Sequence, residues 1–136
     1  MLRGERGRPG ARRRRILVVD DDDLVRDAVA MILHEEKYEV DTAGTRAEVL
    51  RLLEQRTYDV ILSDLRIPGL DGPVLYHELK QRRPEAVHHL VFMTGSAREY
   101  ARFLEKIGVP VLAKPFTPEH LRQTVQRALA PPGATC

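Results

Sequence analysis

Four aspartates in a row, Asp20 to Asp23, follow directly on the apolar run Ile16-Leu17-Val18-Val19. Adjacent carboxylates repel one another, so a folded site that holds them gains from a cation, and an all-oxygen ligand set suits a hard ion such as Mg²⁺. The competing use of such residues is to cap the next helix, whose N-terminus favours negative charge. Asp22 and Asp23 are assigned to that use, with Asp23 as the cap, and Asp20 and Asp21 to the cation. A fifth aspartate, Asp64, ends the run Val60-Ile61-Leu62-Ser63 and precedes the Pro68-Gly69 turn. Its carboxylate is expected to emerge beside those of Asp20 and Asp21. A carboxylate beside a metal ion can act as a nucleophile toward a phosphoryl group, because the ion neutralises the charge between acceptor and phosphate. Thr94 ends Leu90-Val91-Phe92-Met93, and Lys114 follows Val111-Leu112-Ala113 and precedes Pro115. A lysine at the end of a buried strand needs an anionic partner or water. Thr94 alone reads equally well as a satisfied strand-end hydroxyl; with Asp64 between them and the acid cluster, both side chains are expected to face one anion.

The elements that must position these residues alternate, short apolar run with amphipathic stretch, five times over. That is the pattern of a parallel sheet covered by helices on both faces. Strands are expected at Ile16 to Asp20, Tyr38 to Ala43, Val60 to Asp64, Leu90 to Thr94 and Val109 to Ala113. Helices are expected at Leu24 to Glu35, Ala47 to Gln55, Pro73 to Arg82, Arg98 to Ile107 and Pro118 to Leu129. Thr45 with Glu48, and Ser96 with Glu99, have the spacing of a capping box, and Thr117-Pro118 opens the last helix with proline where no N–H is required. All the chemically active residues then lie at the C-terminal ends of strands, where open α/β sheets place their ligands.

Length and composition narrow the reading. The chain has 136 residues, enough for one domain with a real core and too few for a second ordinary module. Hydrophobic residues make up 43% and charged residues 31%, and no window is apolar for the roughly 18 residues that span a membrane. The expectation is a protein of the cytoplasm with no membrane contact and no signal peptide. One cysteine, Cys136, rules out an internal disulfide and reads as incidental. The net charge of +2 divides unevenly: residues 1–15 hold seven arginines and one glutamate, which leaves 15 basic and 19 acidic side chains elsewhere. Residues 1–15 read as a disordered Arg-rich leader, 16–130 as the folded domain and 131–136 as a short flexible tail.

Taken together, Ile16 to Asp21, Asp64 with Pro68 and Asp71-Gly72, Phe92-Met93-Thr94-Gly95 and Lys114-Pro115-Phe116 resemble the response-regulator receiver family of two-component signalling, CheY among them. The likeness covers about residues 16–129, with every motif in order. It implies a flavodoxin-like, doubly wound α/β fold: a five-stranded parallel sheet ordered 2-1-3-4-5, flanked by five helices. It implies a phosphorylation switch, not an enzyme acting on an external substrate, with catalysis confined to its own phosphorylation and dephosphorylation. Asp64 would accept the phosphoryl group from a histidine kinase or phosphotransfer protein. Asp21, Asp64 and the Arg66 main-chain carbonyl would bind Mg²⁺ directly, and Asp20 mainly through water. Thr94 and Lys114 would be the switch pair, Lys114-Pro115 a cis peptide, and Arg66 and Ser96 would tune the phosphoryl lifetime. The output surface would be the fourth helix, fifth strand and fifth helix, open to a downstream protein or a phosphorylation-dependent homodimer. Val111 departs from the family where an aromatic residue often reports the threonine's state. Phe103-Leu104-Glu105 and Gly108-Val109-Pro110 further resemble receivers attached to hybrid sensor kinases.

Two other readings compete. A haloacid-dehalogenase-type phosphohydrolase would use the D-x-D spacing of Asp20 and Asp22, but only Glu119 follows Lys114 where an acidic pair is needed, and residues for a cap are lacking. A pseudo-receiver would use the fold for binding without phosphorylation, but a pure scaffold has no need of a charged pocket that costs stability. Direct nucleic-acid binding is not expected, since no helix-turn-helix follows Leu129.

Overall fold

The computed structural model describes residues 13–130. Five strands, β1 (Arg15–Val19), β2 (Glu39–Ala43), β3 (Val60–Asp64), β4 (Leu90–Thr94) and β5 (Val111–Ala113), form one parallel sheet in the order 2-1-3-4-5. Five helices connect and follow them: α1 (Asp23–Glu35), α2 (Arg46–Gln55), α3 (Gly72–Arg82), α4 (Ala101–Ile107) and α5 (Pro118–Leu129). Short 3₁₀ turns at Pro84–His89 and Ala97–Tyr100 lead into β4 and α4.

The strands are apolar along their length because both faces are covered. Successive side chains alternate between faces. Leu17, Val19, Ile61 and Phe92 therefore join the core shared with α2 and α3, whereas Ile16, Val18, Leu62, Val91 and Met93 join the core shared with α1 and α5. Phe92 is the largest fully buried side chain. Its ring lies 5.9 Å from that of Phe103, edge to face, and Tyr76 approaches Phe103 at the same distance. These contacts hold the seven-residue α4, which is too short to be stable alone.

Several boundaries differ from the sequence-based expectations. Arg13 to Arg15, assigned to a disordered leader, belong to the fold: Arg15 opens β1, the Arg14 carbonyl accepts from the Glu39 N–H, and Arg13 donates to the Lys37 carbonyl. The rest of that leader, and the tail from 131 with Cys136, lie outside the described residues. β1 ends at Val19, and Asp22, one residue before the expected cap, caps α1 by accepting from Leu24 and Val25. β5 starts at Val111; Pro110 has no N–H to give a ladder, although its carbonyl accepts from Phe92. The Ser96-Glu99 capping box does not form. Ser96 makes no side-chain cap, Glu99 turns to Arg66, and the chain enters a 3₁₀ turn there before α4. At α2 the box is displaced: Thr45 accepts from Glu48 N, but Glu48 reaches back to Gly44 N. Thr117 caps α5 as expected.

Candidate functional site

β1, β3 and β4 are neighbours, so their C-terminal ends bring Asp20, Asp64 and Thr94 to one edge of the sheet. The ladder extends one residue past β1, where Asp20 N donates to the Ala43 carbonyl, and past β5, where Lys114 N donates to the Thr94 carbonyl. Those two bonds aim the Asp20 and Lys114 side chains into the same space. Lys114 Nζ stands 2.7 Å from Asp20 Oδ2 and 3.2 Å from Asp64 Oδ2, bridging two carboxylates from different strands.

One oxygen each from Asp20, Asp21 and Asp64 lies within 4.8 Å of the others. Three carboxylates against the Lys114 ammonium leave a net charge of −2 at the site, which a divalent cation balances. Burial differs within the trio: Asp20 is fully buried, Asp64 half-buried and Asp21 exposed. The second Asp20 oxygen accepts from the Asp22 N–H at 2.9 Å. Asp20 thus accepts on both oxygens at 2.7 and 2.9 Å; Asp64 also accepts on both, but at 3.2 and 3.3 Å and with more exposure, so its contacts yield more readily to a ligand. Burial disfavours the charged form of Lys114, but the hydrogen bond to Asp20 and the charge of Asp64 outweigh it, and its pKa is raised above the ordinary lysine value.

The loop after Asp64 folds back on itself. Arg66 N donates to Asp64 Oδ1 at 3.3 Å, Leu70 N to the Ile67 carbonyl, and Gly72 N to the Leu65 carbonyl. Gly69 takes a positive φ of 75°, and Asp71 caps α3. The Arg66 side chain points to Glu99 at 3.5 Å with both groups more than half exposed, a pair of little energetic weight. Thr94 is buried at the same edge, and its Oγ1 accepts from the Ser96 N–H at 2.8 Å. The Lys114-Pro115 peptide is cis. Lys114 therefore faces the acid cluster, whereas Thr94 is brought to the edge with its oxygen engaged by the loop that follows it.

Sequence reasoning passed over Arg26. Its Nη1 donates to the Asp20 main-chain carbonyl at 2.8 Å, and its Nη2 pairs with Asp23. The signal was an arginine one helical turn beyond an acidic run, which is common on solvated helix faces.

Comparison with known proteins agrees with this geometry. A family model described as the response regulator receiver domain matches residues 16–126. The hydrogenase transcriptional regulatory protein HoxA of Cupriavidus necator is 33% identical over 87% of this chain, and the sensor kinase CckA of Brucella abortus is 33% identical over 84%. The chain spans only 24% and 12% of those two proteins. Among solved structures, the chemotaxis response regulator CheY4 of Vibrio cholerae superposes with a TM-score of 0.77 at 29% identity, covering 87% of this chain and all of that one.

Proposed function

The chain belongs to the response regulator receiver family, and from that premise we propose that Asp64 accepts a phosphoryl group from a histidine kinase or phosphotransfer protein. The observation that supports this reading best is the Lys114 ammonium held between Asp20 and Asp64, beside the exposed carboxylate of Asp21. An Asp64 oxygen attacks phosphorus, the P–N bond to the donor imidazole breaks, and the imidazole nitrogen keeps the electron pair and takes a proton from solvent water. The trio's donor set and its residual −2 charge fit Mg²⁺. Asp21, Asp64 and the Arg66 main-chain carbonyl would hold the ion directly. Asp20, fully buried and held at 2.7 and 2.9 Å on its two oxygens, would reach it mainly through water. When bound, Mg²⁺ supplies charge neutralisation between the acceptor and the incoming phosphoryl oxygens.

Phosphorylation turns the −1 group of Asp64 into one near −2 with strong acceptor oxygens. Lys114 lies within reach of those oxygens. Thr94 accepts from Ser96 through oxygen only, so its hydroxyl proton remains available to donate to them. Such a shift would pull on the loops after β4 and β5 and alter the face formed by α4, β5 and α5. Val111 on that face is 38% exposed, and no aromatic ring stands at its position to follow Thr94. A downstream protein or a second copy of the chain would read this face. The role is signalling, with catalysis limited to the domain's own phosphorylation and dephosphorylation, and without direct nucleic-acid contact. Among the described residues no helix is long and apolar enough to cross a membrane, and the cytoplasm is the proposed compartment. Attachment to a hybrid sensor kinase is proposed from the segments Phe103-Leu104-Glu105 and Gly108-Val109-Pro110, and the likeness to the sensor kinase CckA is compatible with it.

The test is intact mass after incubation with Mg²⁺ and acetyl phosphate, for the wild type and Asp64→Asn. A Mg²⁺-dependent gain of one phosphoryl group that the variant lacks is the expected result. No gain, together with no binding of beryllofluoride, would favour a pseudo-receiver instead.

A further inference from the structure

We propose that Arg26 is a positioning residue for the cation site, acting through the main chain of Asp20, and that Gly44 is glycine to leave its guanidinium room. The inference rests on the cation site as read above.

Both sides of the Asp20 backbone are held. Its N–H donates to the Ala43 carbonyl of β2 at 3.1 Å, and its carbonyl accepts from Arg26 Nη1 at 2.8 Å. The second bond fixes the plane of the peptide that joins Asp20 to Asp21. That plane sets the direction in which Asp21, the exposed member of the trio, leaves the chain. The Asp20 side chain has its own anchors in Lys114 and Asp22 N, but Asp21 depends on the backbone.

The guanidinium is placed for this task. The Arg26 side chain is only 19% exposed, although its other partner, Asp23, is 78% exposed. An ion pair with so exposed a carboxylate contributes little and does not account for the arginine's burial. It reaches inward across Gly44, in the loop between β2 and α2. A Cβ at Gly44 would stand 2.5 Å from Arg26 Nη1 and 3.5 Å from the Asp20 carbonyl oxygen. Gly44 has no positive φ among the described residues to explain the glycine. Space for the guanidinium does explain it. The displaced atom would be the end of a flexible side chain, so Gly44→Ala moves the guanidinium off the Asp20 carbonyl at small cost to the fold.

Gly44→Ala thus loosens the clamp with Arg26 still present, and Arg26→Ala removes it. Mg²⁺ binding to the unphosphorylated protein, followed by calorimetric titration, is the readout, with urea unfolding in the absence of Mg²⁺ as the measure of the fold. Outer-shell partners of a metal site typically change affinity 10- to 100-fold; because this one acts through a peptide group, Gly44→Ala, which keeps the guanidinium charge, should weaken Mg²⁺ about tenfold, and Arg26→Ala less, since losing a positive charge beside the site favours the cation. The double variant should be no weaker than Arg26→Ala, because both changes break the same bond. Arg26→Lys, which keeps one donor, should recover part of the loss. Wild-type binding with unchanged affinity in Arg26→Ala and Gly44→Ala would overturn the clamp and leave the cation site standing. Additive losses, or losses that follow the urea midpoint, would also overturn it. Absence of Mg²⁺ binding in the wild type would overturn the cation site and the clamp together. If Arg26→Ala does not fold, Gly44→Ala decides the matter: unchanged affinity there refutes the clamp.

Discussion

Replacing Lys114 with methionine removes the ammonium that, among the described residues, faces the acid trio, while keeping most of the packing volume. Asp20 is fully buried and would lose its 2.7 Å partner, and Asp64 would lose a 3.2 Å partner. Breaking a buried pair by removing one member costs about 3–5 kcal/mol. Lys114 is 22% and Asp64 14% exposed, so water and relaxation return part of that, and about 2 kcal/mol is the expected loss at pH 7 without Mg²⁺. For a chain of this size the loss corresponds to a fall in Tm of roughly 6 °C. Mg²⁺ changes the comparison. The variant site carries −3 where the wild type carries −2, so the cation binds the variant more tightly and raises its Tm by the larger increment. Thermal unfolding followed by far-UV circular dichroism, with and without Mg²⁺, measures both effects. An unchanged Tm without Mg²⁺ would mean that Lys114 does not hold the site together. Equal Mg²⁺ increments in the two proteins would mean that the cation does not share the pocket with the ammonium.

Burial and the hydrogen bond to Asp41 push the Tyr58 hydroxyl well above its ordinary range. The neutral phenol is favoured in the folded state, so its contribution is complete below about pH 10 and is lost as pH rises through the folded value. Urea midpoints from pH 8 to 11.5 should fall at the alkaline end, less steeply in Tyr58→Phe, which should cost about 1 kcal/mol at pH 8; parallel curves would refute the assignment. Gly72→Ala should cost about 2 kcal/mol in urea unfolding, because its Cβ would run into Leu65 Cδ2 and stand 3.2 Å from the Phe103 ring; a neutral effect would show this packing to be loose. Thr94→Ala should lose about 1 kcal/mol by stranding the Ser96 N–H, yet still gain a phosphoryl group from acetyl phosphate in the intact-mass assay. A variant that no longer accepts phosphate would place Thr94 closer to the transfer step than proposed.

β3 and β4 were legible end to end, because a strand buried on both faces needs an unbroken apolar run and Val60 to Leu62 and Leu90 to Met93 provide one. The strand order came from the family likeness, and the observed sheet has it. Convergence of Asp20, Asp21, Asp64 and Lys114 was also legible, since each ends a strand or follows one. The sequence is ambiguous where local rules compete. Asp22 and Asp23 are equally good caps, and only the end of β1 at Val19 decides between them. Ser96 and Glu99 have capping spacing, but tertiary contact draws Glu99 to Arg66 and leaves a 3₁₀ turn. The contact of Arg26 with the Asp20 carbonyl was invisible in one dimension. It depends on the absence of a side chain at Gly44, on a different loop.

Asp64, and no other carboxylate of the cluster, is the proposed phosphoryl acceptor. Borohydride reduces an aspartyl phosphate to homoserine and leaves free aspartate untouched, so peptide mapping after treatment with acetyl phosphate, Mg²⁺ and borohydride locates the acceptor. Homoserine at position 64 alone, dependent on Mg²⁺, is the expected result. Homoserine at position 20 or 21, or at none while beryllofluoride also fails to bind, would contradict it.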